Sequence, residues 1–435
     1  MSQLLEKIKS KKAHVVVIGI GYVGLPLVVE LAKAGYRVTG YDKDPTKVKH
    51  LTNGVSYIED IHAEEFAPHI KSGLMDATTD EAVIKKADCV VMCVPTPLKK
   101  SKDPDMSYIE SAAQTVARHQ HADMLIVLES TTYPGTTREY LVNELVQGGK
   151  YTVGKDLFVA FSPERVDPGN VKFGTRNTPK VLGGVTPECM KVSAALYSQI
   201  VDRVVEVSSP DAAEMSKLLE NTFRAVNIGL VNEFALICDR LGLNVWEIIG
   251  AAATKPFGFM PFWPGPGLGG HCIPIDPLYL SWKMRGLKMP ARFIELADMV
   301  NTGMPEHVVN MTQAALNEQK KALKGAKVLI AGVAYKRDIS DVRESPAIDV
   351  IEGLQHRGAE ISYIDPWVPA FKEGTHEFKS IQLEASFADY DAIVIVTDHK
   401  KIDFGRMAKE AKIIVDTRNA MQPYAKDAKA TIVRL

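Results

Sequence analysis

The sequence predicts an α/β protein in which two doubly wound, Rossmann-like domains are joined by a long central helix. The first observation is a β-α-β pattern at residues 14–45, whose plan is repeated at residues 326–366. The second is an uninterrupted helical pattern of about thirty residues within 208–243, between the two halves. Apolar runs that alternate with helical patterns are typical of parallel strands covered by helices.

The first half carries a glycine motif directly after its first apolar run. Gly19, Gly21 and Gly24 form GxGxxG at the start of a helical pattern. Gly19 allows a tight turn, Gly21 lets the backbone approach a pyrophosphate, and Gly24 allows close helix packing. The helix amino end supplies N–H donors for phosphate. The motif in this context predicts a dinucleotide site.

Asp42 ends the second predicted strand, where a carboxylate can accept hydrogen bonds from both ribose hydroxyls. The same carboxylate would repel a 2′-phosphate, which favours NAD over NADP. Lys43 and Lys47 instead favour NADP, because either ammonium could contact the 2′-phosphate.

The second half repeats the plan without the motif. "HRGAEISYID" parallels "KAGYRVTGYD", so Asp365 takes the place of Asp42, and residues 390–399 repeat residues 87–97. The turn "GVAYKRD" replaces GxGxxG, so we expect this half to hold a nucleotide through other contacts. Lys336 and Arg343 follow its first strand, at the sheet edge where such folds bind ligands. The predicted domains are 1–208, 209–318 and 319–435.

The central helix has recognisable ends. Ser209 is a good N-cap, Pro210 suits the first helical position, and Gly242 is a natural stop. A helix of this length can join two domains and carry a subunit interface.

Composition excludes several classes of protein. The 435 residues carry a formal net charge of −1 and no long basic stripe, which argues against a nucleic-acid partner. No apolar run approaches a membrane span, and the first residues lack the apolar segment of a signal peptide. We therefore expect a cytoplasmic protein.

Cysteine usage points to one position. The five cysteines are scattered without a CxxC pair, so neither disulfides nor a metal site is expected. Four lie in apolar patterns and are expected in the core: Cys89, Cys93, Cys189 and Cys238. Cys272 instead lies in the glycine- and proline-rich stretch "GPGLGGHCIPIDP", residues 265–277.

A cysteine beside NAD permits a four-electron oxidation. A thiolate adds to an aldehyde to give a thiohemiacetal, which loses a second hydride to become a thioester, and water releases the acid. Asp276 could relay a proton, and Lys217 with Asn221, one helical turn apart, could donate to an oxyanion. His271 is a weaker candidate base, because adjacent side chains usually point apart.

Two further strand ends supply candidates for the hydrolytic water. "FSPERVDPGN" carries Glu164 as a base, and "ESTTYPGT" carries hydroxyls that could hold the water.

These motifs, together with "IGIGYVGLPL", "VPTP", "AEMSKLLENTFRAVNI" and "AYKRDISDVRESPA", resemble the UDP-sugar 6-dehydrogenases of the UDP-glucose/GDP-mannose dehydrogenase family. The resemblance covers nearly the whole chain in the family's order. It implies NAD as cofactor, a UDP-sugar substrate and a homodimer or higher homo-oligomer formed through the long helix.

The resemblance also implies roles for individual residues. The catalytic set is Cys272 as nucleophile, Lys217 and Asp276 for protons, Asn221 for the oxyanion, Thr131 for the water and Glu164 as base. The predicted cofactor contacts are Gly19, Gly21, Tyr22, Val23, Gly24, Asp42, Lys47, Thr96, Thr131 and Arg343. The predicted substrate contacts are Glu164, Arg165, Lys217, Asn221, Lys255, Gly265, Gly269 and Lys336. Lys255 matches a position that reaches the neighbouring subunit in the family.

The sugar stays open at this point. The sequence most resembles bacterial UDP-N-acetylglucosamine 6-dehydrogenases of surface-polysaccharide pathways; UDP-N-acetylmannosamine and UDP-glucose are the alternatives. Two other classes remain: a two-electron hydroxyacid dehydrogenase, which would not need Cys272, and a non-catalytic NAD-responsive binding protein.

Overall fold

The computed structural model describes residues 3–58, 61–99, 101–167, 169–170, 172–373 and 376–435. Pro168, within the predicted "FSPERVDPGN" strand end, lies outside these residues. The contacts of the chain divide it into two compact units, Met1–Glu220 and Asn221–Leu435. No helix of the described residues is both long and apolar enough to cross a membrane.

The first unit is built on one eight-stranded sheet. Its strands are β1 His14–Ile18, β2 Arg37–Tyr41, β3 Met75–Thr78, β4 Cys89–Met92, β5 Met124–Leu128, β6 Leu157–Phe161, β7 Lys180–Gly184 and β8 Val204–Val207. They lie in the order β3-β2-β1-β4-β5-β6-β7-β8, and each pair is parallel except β6 with β7. The first six follow the strand order of dinucleotide-binding Rossmann domains, whose ligand site lies beyond β1 and β4.

Helices cover both faces of this sheet. They are α1 Gln3–Lys9, α2 Gly24–Lys33, α3 Pro45–Thr52, α4 Ala63–Lys71, α5 Ser107–His119, α6 Val142–Val146 and α7 Pro187–Tyr197. Successive side chains of a strand point to opposite faces. Val15 and Val17 accordingly belong to one apolar cluster, and Val16 and Ile18 to another. Burial on both faces explains why the strands read as unbroken apolar runs.

The long helix α8 spans Pro210–Leu241. Its predicted ends are confirmed: the Ser209 hydroxyl accepts the N–H of Ala212 at 3.2 Å, and Gly242 adopts φ 66° directly after the last turn. The division between the two units falls within α8, at residue 220. The predicted boundaries at 208/209 and 318/319 stay predictions.

The second unit has a smaller parallel sheet. Its strands are β9 Lys327–Ala331, β10 Glu360–Ile364, β13 Ala392–Ile395, β14 Ile413–Asp416 and β15 Thr431–Arg434, with a separate hairpin of β11 Ala370–Glu373 and β12 His376–Lys379. Its other helices are α9 Val245–Ala252, α10 Asp276–Gly286, α11 Arg292–Glu318, α12 Pro346–His356 and α13 Phe404–Glu410. The order is β10-β9-β13-β14-β15. This is the 2-1-3-4-5 order of flavodoxin-like sheets, whose ligand site lies beyond β9 and β13.

The predicted fold class is confirmed, and so is the internal repeat. Asp42 and Asp365 follow the second strand of their respective sheets. Each carboxylate accepts backbone N–H groups from the turn after the first strand: Ile20 at 3.0 Å in the first unit, and Val333 at 2.8 Å in the second. The two halves differ in strand order, which the repeated pattern did not reveal.

Candidate active site

The turn after β1 is shaped to receive a phosphate. A Cβ on Gly24 would lie 1.8 Å from the carbonyl oxygen of Gly19, so α2 can begin this close to the turn only with glycine. A Cβ on Gly21 would meet nothing within 4 Å. Val23 caps α2 without a side-chain hydrogen bond. Open space in front of Gly21 and an uncapped helix start fit the pyrophosphate of a dinucleotide.

Asp42 is held at the edge of this turn. Its Oδ2 accepts the N–H of Ile20, and its Oδ1 accepts the N–H of Asp44, both at 3.0 Å. Lys47 Nζ lies 3.3 Å from Asp42 Oδ2, and Lys43 Nζ donates to Ser111 Oγ at 2.8 Å. Both lysines that could have favoured a 2′-phosphate therefore have partners, which agrees with selection of NAD.

Two other predicted cofactor residues border the same strand ends. Tyr22 is exposed within the glycine turn, and Thr96 is buried in the segment that follows β4. Since β1 and β4 are neighbours at the point where the strand order reverses, both residues lie where a dinucleotide binds in this fold.

Glu164 lies in a buried ionic cluster that the sequence analysis missed. Lys180 Nζ lies 2.8 Å from Glu164 Oε2 and 2.8 Å from Glu129 Oε2. Tyr197 donates its hydroxyl to Glu129 Oε1. A lone lysine at the start of the buried strand β7 was the available signal, because a buried ammonium needs carboxylate partners.

The cluster sets the protonation of its members. Burial would raise the pKa of Glu164, but the Lys180 ammonium and the N–H groups of Val166 and Arg165 outweigh it, so the pKa falls below its ordinary value. Burial would lower the pKa of Lys180, but Glu129 and Glu164 raise it. Glu164 is therefore a carboxylate at neutral pH, the form that a general base requires.

Lys217 and Arg165 also contact this region. Lys217, on α8, donates its ammonium to the backbone carbonyl of Glu164 at 2.6 Å. Arg165 Nη2 lies 2.6 Å from Glu220 Oε1, and its Nη1 donates to the carbonyl of Pro179 at 2.7 Å. The structure thus brings Lys217 and Glu164 together, and it commits part of the Arg165 guanidinium to an ion pair within the protein.

Thr131 is half-buried in the loop that follows β5. The same loop continues into a turn that the buried carboxylate of Glu214 fixes to α8. Glu214 accepts the N–H of Gly135 at 2.7 Å, and the N–H and hydroxyl of Thr137 at 2.9 and 2.7 Å. Burial raises the pKa of Glu214 to about 7 despite these bonds.

In the second unit, Cys272 lies just before α10. The other four cysteines are buried, as predicted, and Cys272 is exposed. Its carbonyl accepts the N–H of Asp276 at 2.8 Å, so the thiol-bearing residue lies one turn ahead of the helix. The amino end of a helix favours negative charge, which suits a thiolate.

Asp276 and Asn221 are brought together. Asp276 is the first residue of α10 and is 1% exposed, and its Oδ2 accepts the Nδ2 of Asn221 at 2.5 Å. Lys217 and Asn221 lie one turn apart on α8, as predicted, but their described hydrogen bonds go to different acceptors, Glu164 and Asp276.

The loop glycines permit close packing against the second sheet. A Cβ on Gly265 would lie 2.6 Å from Arg418 Nη1, and one on Gly269 would lie 2.5 Å from Tyr335 Cβ. The N–H of Gly265 donates to the buried side chain of Asn232 at 2.9 Å. These contacts place the start of the loop beside Arg418 and its middle beside Tyr335, which precedes Lys336. Sequence reasoning missed Arg418 and Asn232.

The remaining predicted residues lie in loops of the second unit. Arg343 holds the carboxylate of Asp341 through Nε at 3.0 Å and Nη2 at 2.6 Å. Lys336 is half-buried in the segment after β9. Lys255 lies beyond α9 with its ammonium 5.0 Å from the ring centroid of Phe257. His271 is half-buried next to Cys272.

Asp365 explains why the second sheet does not repeat the NAD site. Its Oδ2 accepts the N–H groups of Val333 and Ala334 and lies 2.9 Å from His399 Nε2, while Oδ1 accepts Trp367 N–H at 2.8 Å. The carboxylate is 3% exposed and committed to the fold, so it is not available to ribose hydroxyls.

Comparisons with known proteins agree with this architecture. Family models match residues 13–201 as the NAD binding domain, 211–303 as the central domain and 329–423 as the UDP binding domain of the UDP-glucose/GDP-mannose dehydrogenase family. A UDP-N-acetyl-D-mannosamine dehydrogenase of Methanococcus maripaludis is 34% identical over 93% of this chain and 92% of its own. A UDP-N-acetyl-D-glucosamine 6-dehydrogenase of Pseudomonas aeruginosa is 32% identical over 92% and 93%.

A solved structure extends the likeness to the fold. The UDP-D-ManNAc dehydrogenase of Pyrococcus horikoshii superimposes with a TM-score of 0.87 at 33% identity, over 97% of this chain and 99% of that one. The glycine turn and the domain matches define an NAD-dependent dehydrogenase of UDP-sugars. The chain belongs to the UDP-glucose/GDP-mannose dehydrogenase family, which confirms the predicted resemblance and the predicted cofactor.

Proposed function

We propose that the protein oxidises the C6 hydroxymethyl group of a UDP-N-acetylhexosamine to the carboxylate, with Cys272 as the covalent nucleophile. The observation that carries the proposal is the exposed Cys272, one turn ahead of a helix whose first residue is the buried Asp276. A two-electron dehydrogenase has no use for such a thiol.

The first half of the proposed chemistry makes the thioester. The turn of Gly19, Gly21 and Gly24 would hold NAD, which would supply the hydride acceptor when bound. Asp276, oriented by Asn221, takes or relays the protons that leave the alcohol and the thiohemiacetal. Lys217 stabilises the oxygen of the thiohemiacetal as charge develops on it. Once the first hydride and the hydroxyl proton have left, Cys272 Sγ adds to C6 of the resulting aldehyde and traps it as the thiohemiacetal. The thiohemiacetal then loses its hydroxyl proton and the second hydride to become the thioester, so no aldehyde is released.

The second half releases the acid. Thr131 holds a water, and the carboxylate of Glu164 takes one of its protons as the oxygen adds to the thioester carbon. The ionised state of Glu164 at neutral pH supports this role. The sulfur leaves with the electron pair of the C–S bond, and Cys272 is ready for the next substrate.

Two sugars are candidates. UDP-N-acetylglucosamine is the first, and it is supported by the sequence of the cysteine loop and by the Pseudomonas relative. UDP-N-acetylmannosamine is the second, from the Methanococcus relative and the Pyrococcus structure. Because relatives named for either sugar match at similar identity, 34% and 32%, the proposal covers both epimers. In either case the product is a building block for surface polysaccharide.

A substrate panel tests the proposal. UDP-glucose and the UDP derivatives of N-acetylglucosamine, N-acetylgalactosamine and N-acetylmannosamine are each incubated with NAD. NADH formation is followed by absorbance, and the product is identified by mass spectrometry. A uronic acid from one N-acetylhexosamine supports the proposal. Turnover of UDP-glucose alone would make UDP-glucose the substrate in place of a UDP-N-acetylhexosamine. No turnover with any of the four would favour a non-catalytic binding protein.

The protein is further proposed to act as a homodimer or higher homo-oligomer. Large apolar side chains are exposed along one stripe of α8, at Phe223, Leu230, Phe234, Ile237 and Leu241. Exposed apolar patches of this extent mark interaction surfaces. The five cysteines of the chain, scattered without a CxxC pair, suit a reducing compartment, which supports the proposed cytoplasmic location.

A further inference from the structure

The mechanism proposed above gives no role to the buried ammonium of Lys180. Lys180 begins β7, its side chain is 3% exposed, and it contacts two carboxylates at 2.8 Å each. One of them, Glu129, directly follows β5, and the other, Glu164, follows β6. Since β5 and β6 are neighbours in the sheet, Lys180 links two adjacent strand ends.

Those two strand ends carry both groups proposed for the hydrolytic water. Thr131 comes two residues after Glu129, and Glu164 is the proposed base. The backbone carbonyl of Glu164 also accepts the ammonium of Lys217 at 2.6 Å. One buried lysine therefore contacts the proposed base itself and the glutamate two residues before the threonine proposed to hold the water.

The contacts orient the Glu164 carboxylate completely. Its Oε1 accepts the N–H groups of Arg165 and Val166, each at 2.8 Å, and its Oε2 accepts Lys180. A carboxylate oxygen has two acceptor positions, so Oε2 keeps one for a water. Tyr197 fixes Glu129 from the other side, so the lysine cannot shift toward one partner without leaving the other.

We propose that Lys180 is a positioning residue for thioester hydrolysis: it holds the Glu164 carboxylate in the orientation in which that carboxylate takes a proton from the hydrolytic water. The inference rests on the proposed function. In the step concerned, the water oxygen bonds to the thioester carbon and the C–S bond breaks with its electron pair on Cys272 Sγ. One water proton goes to Glu164, the other leaves with the acid and passes to solvent, and no redox change occurs.

Loss of the ammonium has a specific consequence. Two buried carboxylates without their shared cation cannot both stay ionised and in place, so one takes up a proton or turns away. A protonated or displaced Glu164 cannot accept the water proton. The two oxidations precede this step, so they should continue until the enzyme is held as the thioester.

The test combines rapid-mixing kinetics with intact-protein mass spectrometry on Lys180→Met. We expect a burst of two NADH per active site, then a steady state slower than wild type by about 100-fold or more. We also expect a covalent acyl adduct on the protein, absent when Cys272→Ser is combined with it. Lys180→Arg should restore most of the steady-state rate, since a guanidinium can bridge two carboxylates.

Two further variants keep the test decisive. The double variant Lys180→Met, Glu129→Gln leaves Glu164 as the single ion of the cluster and so preserves the cluster's net charge. We expect the same burst, slow steady state and acyl adduct from it, and it replaces the single variant if that one fails to fold. Lys7→Met is the matched control: it removes a lysine paired with Asp88 at 2.6 Å in the same unit, and its kinetics should equal wild type.

The outcomes separate this inference from the proposed function. The lysine would be only structural if folded Lys180 variants formed the first NADH as slowly as they turn over, with no burst and no adduct. Unchanged turnover in the double variant would overturn the inference as well. A wild-type enzyme that forms no more than one NADH per UDP-sugar would instead contradict the proposed function itself.

Discussion

Cys272 is distinguished from the other cysteines by its surroundings. Cys89, Cys93, Cys189 and Cys238 are buried, and burial raises the pKa of Cys93 well above its ordinary value. Such thiols are inert, whereas an exposed thiol at the start of a helix can react. The glycine- and proline-rich composition around Cys272 was sufficient to single it out from sequence.

Replacing Cys272 with serine should abolish turnover. A serine hydroxyl is a poorer nucleophile and its alkoxide a poorer leaving group than a thiolate, so the acyl-enzyme route fails. We expect a loss of at least about 1,000-fold in kcat, with the Kd for NAD within a few fold of wild type by calorimetry. A variant that keeps most of its activity would mean that the loop is only structural.

Asp42 should select the cofactor. Its carboxylate is fixed by two backbone N–H groups and by Lys47, at the place where a ribose binds in this fold. Asp42→Ala should raise the KM for NAD about tenfold. It should also reduce the preference for NAD over NADP, measured as the ratio of kcat/KM with NAD to kcat/KM with NADP. Ser111→Ala, which removes only the partner of Lys43, serves as a control. A wild-type preference for NADP would contradict the role of Asp42.

Sequence reasoning at this scale found residues whose chemistry is unusual for their local pattern. It missed Lys180, Glu129 and Tyr197, because their meaning depends on three strand or helix ends that meet only in the folded sheet. Helical spacing was sufficient to place Lys217 and Asn221 one turn apart on α8, but it could not give their acceptors, Glu164 and Asp276.

At the scale of elements, α8 combines several tasks in one continuous helix. It carries Lys217 and Asn221, and its exposed apolar stripe forms a surface along the same element. The ends of α8 were predictable to the residue, because Ser209, Pro210 and Gly242 are strong local signals. The start of α11 at Arg292 has no such signal, because Ala291 precedes it without a side-chain cap.

Glu214 should make the first unit less stable as the pH rises toward neutral. Its pKa is raised to about 7 by burial, against 4.5 for an ordinary glutamate. Between these values the unfolded chain has lost the proton and the folded chain keeps it, so raising the pH favours unfolding. The loss begins near pH 4.5, is complete above about pH 7, and amounts to about 3 kcal/mol.

Urea denaturation at pH 5 and pH 8 measures this effect. Glu214→Gln should reduce the pH-dependent change in unfolding free energy by about 3 kcal/mol, because the amide does not titrate. Glu188→Gln, at an exposed position, should leave the change as in wild type. Equal pH dependence in wild type and Glu214→Gln would mean that Glu214 ionises normally.

The apolar stripe of α8 should hold the oligomer. Phe234→Asp places a charge on the stripe and should shift the protein to a monomer, measured by light scattering after size exclusion. Phe173→Asp changes a phenylalanine of similar exposure, 45% against 46%, away from α8 and should leave the mass unchanged. A wild-type protein that is already monomeric, or a Phe234→Asp variant of unchanged mass, would contradict the proposed interface.

At the scale of the whole molecule, the proposed chemistry draws on both units. The NAD turn, Lys217 and Glu164 belong to the first, whereas Cys272, Asn221 and Asp276 belong to the second. The sequence was sufficient to predict two doubly wound sheets, because buried parallel strands read as apolar runs. Strand order in the second sheet was not predictable, since it depends on which pairings form between distant segments of the chain.

The amount of NADH formed per substrate tests the central claim most directly. With limiting UDP-sugar and excess NAD, two hydrides leave the same carbon before the product is released. We predict two NADH per UDP-sugar, a uronic acid as the only product, and no aldehyde captured by an added hydrazine. One NADH per UDP-sugar with a ketone or a free aldehyde as product would contradict the account.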